Sequence, residues 1–207
     1  GQEAIKQFEM IDDYPDIVVA CCGGGSNFSG TAFPFIRENL KGGKNTRIIA
    51  VEPSACPTMT KGKFAYDYGD VAGMTPICKM FTLGHDFMPP GIHAGGLRYH
   101  GMAPLVSQLY ADGCFEATSA VQSDVFKAGL LFAKNEIIVP APESCHAICG
   151  AIKEAEKCKE TGEEKTILFT LSGNGYFDML AYDKYLHGQT EDIAYDEKLI
   201  EQSLAKL

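Results

Sequence analysis

Ile17-Val-Val-Ala-Cys21 runs through Cys22 directly into Gly23-Gly24-Gly25-Ser26-Asn27. An unbroken, β-branched apolar run is what a strand covered on both faces requires. The glycines that follow end it in a turn, and Ser29 to Asn39 carries a helical pattern. Arg47-Ile-Ile-Ala-Val-Glu52 repeats the strand signal until Pro53 stops it. Two buried strands joined through a helix must cross over, so the pair is parallel and the fold class is α/β.

The alternation extends outward in both directions. Gln2 to Asp13 predicts a helix ending near Tyr14-Pro15, Pro104 to Ala111 a second, and Phe115 to Val121 a short strand. Ser123 and Asp124 are candidate caps for a helix over Val125 to Ala133. Ile137 to Pro142 reads as extended, and Glu143-Ser144 opens a helix to about Lys159 with Ala147, Ile148, Ala151, Ile152 and Ala155 on one face. Thr166 to Leu171 is the last strand and enters a second glycine turn, Ser172-Gly173-Asn174-Gly175. The acidic tail ends in a helical stretch near Asp196 to Lys206. Between Pro53 and Gly101 the periodicity disappears, and Gly or Pro fills seven of the seventeen positions from Met88 to Pro104. Loops of that length are usually functional or disordered; the interleaved Tyr66, Tyr68, Phe81, Phe87 and Tyr99 favour order. No repeat or low-complexity linker divides the chain, which predicts one α/β domain over residues 1–207 with a long irregular loop at about 53–103.

Composition narrows the function classes. Of 207 residues, 45% are hydrophobic and 22% charged, the balance of an ordinary globular core. Net charge is −9 with the 18 basic residues scattered, which argues against a nucleic-acid backbone as ligand. The longest apolar run is Ile17 to Cys22, against the roughly 20 residues a membrane span needs. Eight dispersed cysteines, most within apolar runs, read as reduced thiols in a cytoplasmic protein. The N-terminus lacks the basic and apolar regions of an export signal.

Three glycines followed by Ser26 and Asn27 at a helix start form a candidate anion cradle, because backbone N–H groups and the helix dipole converge there. A tight turn is the plain alternative. The loop lacks the Lys-Ser/Thr of a P-loop and the dinucleotide spacing, which leaves a small phosphorylated ligand. Ser172 also follows a strand, and strand C-termini in an open sheet share one crevice, so it faces the same ligand or merely closes its own turn. Glu143 at a helix start is either a dipole-complementing cap or a buried acid. Cys145, His146 and Cys149 lack a fourth ligand and a common face, which speaks against zinc. Cys21 and Cys22 read as core filling. No nucleophile-elbow pattern is present, and His85, His93 and His100 have no evident partners.

Gln2-Glu3-Ala4, Ala20-Cys-Cys-Gly-Gly-Gly-Ser-Asn27, Ala94-Gly-Gly-Leu97, Ile138-Val-Pro-Ala-Pro-Glu-Ser-Cys-His-Ala147 and Leu171-Ser-Gly-Asn-Gly175 resemble, in this order, the carboxyl-terminal half of the tryptophan synthase beta chain family. Gly84-His-Asp-Phe-Met-Pro-Pro90 and Leu97-Arg-Tyr-His-Gly-Met-Ala-Pro104 are similar to its second form, which works without the alpha subunit. The resemblance implies a three-layer open parallel sheet with helices on both faces, as in the carboxyl-terminal domain of fold type II pyridoxal-phosphate enzymes. It implies a lyase that joins indole to L-serine with pyridoxal 5′-phosphate as cofactor, and a cytoplasmic location, or a plastid one in a plant. By motif, Gly23, Gly24, Gly25, Ser26 and Asn27 hold the phosphate, Ser172 meets the pyridine nitrogen, and Glu143 lies beside the ring. Carbonyls of Gly23, Tyr99 and Gly101 match the family's monovalent-cation (Na or K) site.

Two departures qualify the resemblance. The family's Schiff-base lysine belongs to a His-Lys-x-Asn motif of the amino-terminal half, and no His-Lys dipeptide occurs here. The expectation is a fragment with no catalytic residue of its own, inactive alone, whose partner is the missing amino-terminal half and which is a homodimer when intact. Arg98 stands where the main form of the family has an aspartate near the hydroxyl of substrate serine. A guanidinium fork there suits an anionic leaving group, as in O-phospho-L-serine; the alternative is that Arg98 turns outward or pairs with Asp70, Asp86 or Glu143. Two other functions stay open: another β-replacing or eliminating enzyme of the same fold, and a non-catalytic domain that binds a phosphate ligand or a partner chain.

Overall fold

The computed structural model describes residues 1–193 and 195–206. β1 (Ile17–Cys21) lies between β2 (Arg47–Pro53) and β6 (Ile167–Phe169), and β5 (Glu116–Ala120) follows beyond β2. All three pairings in this four-stranded sheet are parallel, with Val19 opposite both Ile49 and Phe169. Side chains alternate across it. Val18, Ala20, Ile48 and Ala50 pack with Phe28, Phe35 and Ile36 of α2 (Ser26–Leu40) and Val106 of α3 (Pro104–Ala111). Ile17, Val19, Ile49 and Val51 face the opposite layer, where they meet Phe126 of α4 (Gln122–Glu136), Ile148 and Cys149 of α5 (Pro142–Thr161) and Tyr182 of α6 (Met179–Leu186). Helix, sheet, helix is the expected three-layer arrangement. α1 (Gln2–Met10) lies against α2.

Strand order places the site. The chain moves from β1 outward through β2 to β5, then returns to the other side of β1 as β6. The order reverses between β1 and β6, so the connections leaving their C-terminal ends diverge and open a crevice there. Gly23–Asn27 leaves β1 at that point, and Ser172–Gly175 leaves β6.

The expected irregular loop is more ordered than its composition suggests. β3 (Lys63–Asp67) and β4 (Cys78–Thr82) pair as an antiparallel hairpin, and Thr82 bridges Gly101. The ten residues between these strands exceed any two-residue hairpin signal, and the strand side chains are largely half-exposed, so no clean alternation marks them. Ser123 and Asp124 do not cap α4: its N-cap is Val121, and the Asp192 carboxylate accepts from Ser123 N at 2.7 Å and from the Ser123 hydroxyl at 2.5 Å. A cap supplied from sixty-nine residues away leaves no local signature. Ile137 closes α4 at φ 60°, and 137–141 joins no sheet. α6 has no counterpart among the elements expected from the pattern. α7 (Glu197–Leu204) sets Ile200 and Leu204 against Cys56, Leu83 and Phe87, with its N-terminus capped by Asp196 as the tail pattern suggests.

Candidate functional site

β1 delivers Gly23 to Asn27 to the start of α2, with Gly25 as N-cap at φ 108°, a conformation that side chains disfavour. The N–H groups of Gly24, Gly25, Ser26 and Asn27 have no acceptor among the described residues. Those of Gly25, Ser26 and Asn27 are orphan donors of the helix start. Ser26 is exposed and its hydroxyl bonds no protein group among the described residues, whereas Gly25 is buried. No Lys or Arg occurs between Asp16 and Thr31. Within this stretch an anion would meet backbone dipoles and hydroxyls and no basic side chain.

The glycines also serve the protein itself. A Cβ on Gly23 would stand 2.6 Å from Leu97 Cα and 2.7 Å from the Gly96 carbonyl. On Gly24 it would meet the Tyr99 ring at 3.3 Å, and Ala103 N donates to the Gly24 carbonyl at 2.9 Å. The strap formed by residues 94–103 therefore lies directly on the cradle, and the absent side chains admit the strap. Ligand approach alone, the role expected from the motif, does not account for all three glycines.

The other expected residues converge on the same edge. Glu143, half-buried in the first turn of α5, accepts from Gly96 N at 2.9 Å and so pins the strap in addition to complementing the helix dipole. Ser172 is held by Ser144, whose hydroxyl donates to the Ser172 carbonyl and lies 3.1 Å from its hydroxyl. Ser144 is fully buried and was not singled out from the sequence, although it follows Glu143 in the Pro-Glu-Ser-x-His run. The Cys21 thiol, at the end of β1, donates to Asn27 Oδ1 at 3.5 Å. Burial pushes that thiol up to about 11, and the charge of Glu143 adds to the shift. Cys21 is thus a protonated donor at neutral pH, more than core filling.

The remaining candidates are placed less favourably. Arg98 is exposed and donates to the Pro89 carbonyl at 2.8 Å; among the described residues it pairs with none of Asp70, Asp86 and Glu143. The Tyr99 carbonyl accepts from the Cys56 thiol and the Thr58 hydroxyl, each at 3.1 Å. No group of three His, Cys, Asp or Glu suited to a metal occurs among the described residues. Cys145 instead meets the Tyr182 hydroxyl at 3.2 Å. His146 is buried with Nδ1 2.9 Å from the Pro142 carbonyl, and desolvation lowers it to about 4. The eight cysteines carry free thiols. No helix among the described residues is long and apolar enough to cross a membrane.

A glycine loop free of charged side chains and the Ser144–Ser172 pair lie together at the reversal point of a parallel sheet. The chain belongs to the pyridoxal-phosphate dependent enzyme family, which matches residues 1–173. It is 60% identical to tryptophan synthase beta chain 2 of Aquifex aeolicus over 195 residues, 93% of this chain and 45% of the relative. The corresponding chain of Methanosarcina mazei is 58% identical over 191 residues, covering 92% and 43%. The chain spans less than half the length of these curated relatives. Among solved structures, an L-serine ammonia-lyase from Rhizomucor miehei superposes with TM-score 0.65 at 14% identity, covering 91% of this chain and 55% of the other. An O-acetyl serine sulfhydrylase from Entamoeba histolytica does so at 0.57 and 22%, covering 97% and 49%. At such identities the likeness is one of fold.

Proposed function

We propose that this chain is the cofactor-phosphate and ring-nitrogen domain of a tryptophan synthase beta-type lyase, which converts L-serine and indole to L-tryptophan and water. The observation that carries the reading is the convergence of four unpaired N–H groups with Ser172, fixed by Ser144, at one sheet edge. The residues present fit pyridoxal 5′-phosphate at two of its three attachment points. Gly23 to Asn27 offer dipolar donors to a phosphate, and the Ser172 hydroxyl offers a neutral partner to a pyridine nitrogen. Glu143, anchored to Gly96, would lie beside the ring. When bound, the cofactor supplies an electron sink for elimination at Cβ. A neutral partner at the ring nitrogen leaves that nitrogen largely unprotonated and moderates the sink. With no His-Lys dipeptide in the sequence, the covalent anchor and the substrate-carboxylate grip are assigned in this proposal to the remainder of a longer protein. That protein is a homodimer in the cytoplasm.

Pyridoxal 5′-phosphate and pyridoxal, titrated against the 207-residue chain, test the cradle. The phosphate-bearing compound should bind at least about tenfold more tightly, the worth of one to two hydrogen bonds, and neither should remain attached after borohydride reduction. Equal binding of the two removes Gly23–Asn27 from the site. Ser26→Ala should weaken binding by about 1 kcal/mol, the value of one hydrogen bond.

Arg98 belongs to the same proposal as the residue that selects the amino-acid donor. Its guanidinium, neutralised by no carboxylate among the described residues, suits the leaving phosphate of O-phospho-L-serine. In the whole enzyme a charge-assisted contact worth about 1.5–3 kcal/mol makes kcat/KM favour O-phospho-L-serine over L-serine by about tenfold to a hundredfold. Arg98→Asp should erase the preference. L-Serine preferred by both proteins ends it. A sodium or potassium ion on the carbonyls of Gly23, Tyr99 and Gly101 would have to displace the Cys56 and Thr58 donors from Tyr99.

A further inference from the structure

Outside the ligand site, the most unusual charged group is Glu52. It lies near the end of β2 with 1% exposure, and Cys22 N donates to the neighbouring Val51 carbonyl, which sets Glu52 beside the strand that launches the glycine loop. Its carboxylate accepts from Met59 N and Thr60 N, both at 2.9 Å, and from the Thr60 hydroxyl at 2.5 Å. No cation pairs with it among the described residues. Three donors from one short turn make Glu52 the anchor of residues 56–62.

That turn continues to the cradle. Cys56 and Thr58 hold the Tyr99 carbonyl, the Tyr99 hydroxyl donates to the Gly69 carbonyl at 2.6 Å, and the Tyr99 ring lies over Gly24. Tyr99 is thus fixed at both ends, and one of those ends depends on a turn whose hydrogen bonds outside itself run through the Glu52 carboxylate, Pro53 and Tyr99, with Cys56 and Met59 packed into apolar clusters. We propose that Glu52 is a positioning residue that seats the 94–103 strap on the glycine loop, acting through Met59 and Thr60, then Cys56 and Thr58, then Tyr99. The inference rests on reading Gly23–Asn27 as the phosphate cradle for its functional meaning, and on the hydrogen-bond chain alone for its mechanics.

Glu52 carries a signature that a merely structural turn residue lacks. Desolvation raises its pKa to about 7 against the pull of the three donors. The titratable groups that face it are the Cys22 thiol just after β1, the Cys56 thiol on the turn and the Tyr110 hydroxyl on α3, none of them charged at neutral pH. An opening that hydrates the carboxylate returns it toward its ordinary range, so opening is favoured as pH rises.

Hydrogen exchange of the 207-residue chain, corrected for intrinsic rates, tests this between about pH 6 and pH 8, where protection of both 56–62 and 94–103 should fall about tenfold. Glu52→Gln, which keeps the shape and one acceptor oxygen, should abolish the pH dependence in both segments together. Thr58→Val, which leaves Glu52 intact, should expose 94–103 while 56–62 stays protected. The proposal is overturned if the pH response stops at 56–62, if Glu52→Gln responds as the wild type does, or if Thr58→Val leaves the strap unchanged. Inorganic phosphate followed by phosphorus NMR separates the two readings: if it fails to bind the wild-type chain the cradle falls, while the exchange result still decides the role of Glu52.

Discussion

The parallel sheet and the segment from 53 to 103 are held by different forces. In the sheet, Val18, Val19, Phe28 and Phe126 are almost wholly buried, and β1 exchanges regular backbone bonds with two neighbours. In and beneath the segment, the buried groups include Glu52, Thr58, Asp67, Thr82 and His100. Asp67 there accepts from the Thr82 hydroxyl at 2.6 Å and lies 2.7 Å from His85 Nδ1, while His100 Nε2 meets the Tyr68 carbonyl at 2.9 Å. Apolar burial is non-directional and tolerant of small shifts. A buried polar network is directional and fails when one member changes protonation or length. The sheet therefore supplies stability, and the segment supplies the placement of Leu97 and Tyr99 on the cradle.

That division of labour is tested most severely at Phe126, which packs edge-on against Tyr182 with ring centroids 5.1 Å apart. Phe126→Ala should cost about 3–5 kcal/mol in urea unfolding, with hydrogen exchange in 94–103 unchanged relative to the global rate. A strap that loosens selectively would show that the regions are not separable.

Each region also buries a group that desolvation shifts strongly, and the two oppose each other. His146, beneath the sheet in α5, is lowered to about 4 from an unfolded value near 6.5. It contributes stability above the unfolded value that is lost as pH falls toward 4. Glu52 is raised to about 7 from near 4.5, so its contribution is present at low pH and is lost as pH rises through 7. Each effect is on the order of 3 kcal/mol. Unfolding midpoints between about pH 4.5 and pH 7.5 should differ from wild type with opposite slopes in Glu52→Gln and His146→Asn. Parallel profiles would mean that neither group is as desolvated as its burial indicates.

Gly25→Ala probes the boundary between the two regions. Its φ of 108° disfavours a side chain, and the new Cβ would lie 3.0 Å from Met102 Sδ and Val106 Cγ2. The loss should be about 1–3 kcal/mol, accompanied by faster exchange in 94–103. Unchanged exchange there would place the strain in α2 instead. Smallest is Asp192→Ala, which removes the remote cap of α4 and should cost about 1 kcal/mol, read as a lower melting temperature with no change in the strap.

What the residues alone determined is the part governed by local pattern. The apolar runs at Ile17–Cys21 and Arg47–Glu52, the glycines after the first, and the amphipathic face of the helix after Glu143 specify a parallel sheet with its cradle at a strand end, because period and turn chemistry are local properties. The support of Ser172 by Ser144, the strap pinned by Glu143 through Gly96, and the cap lent to α4 by Asp192 were decided by tertiary structure. So was the hairpin of β3 and β4, and so was the reason Gly23 must be glycine, which is Leu97 seventy-four positions away in the chain. Contacts of that kind depend on which strand lies beside which, and only the packed sheet fixes that order.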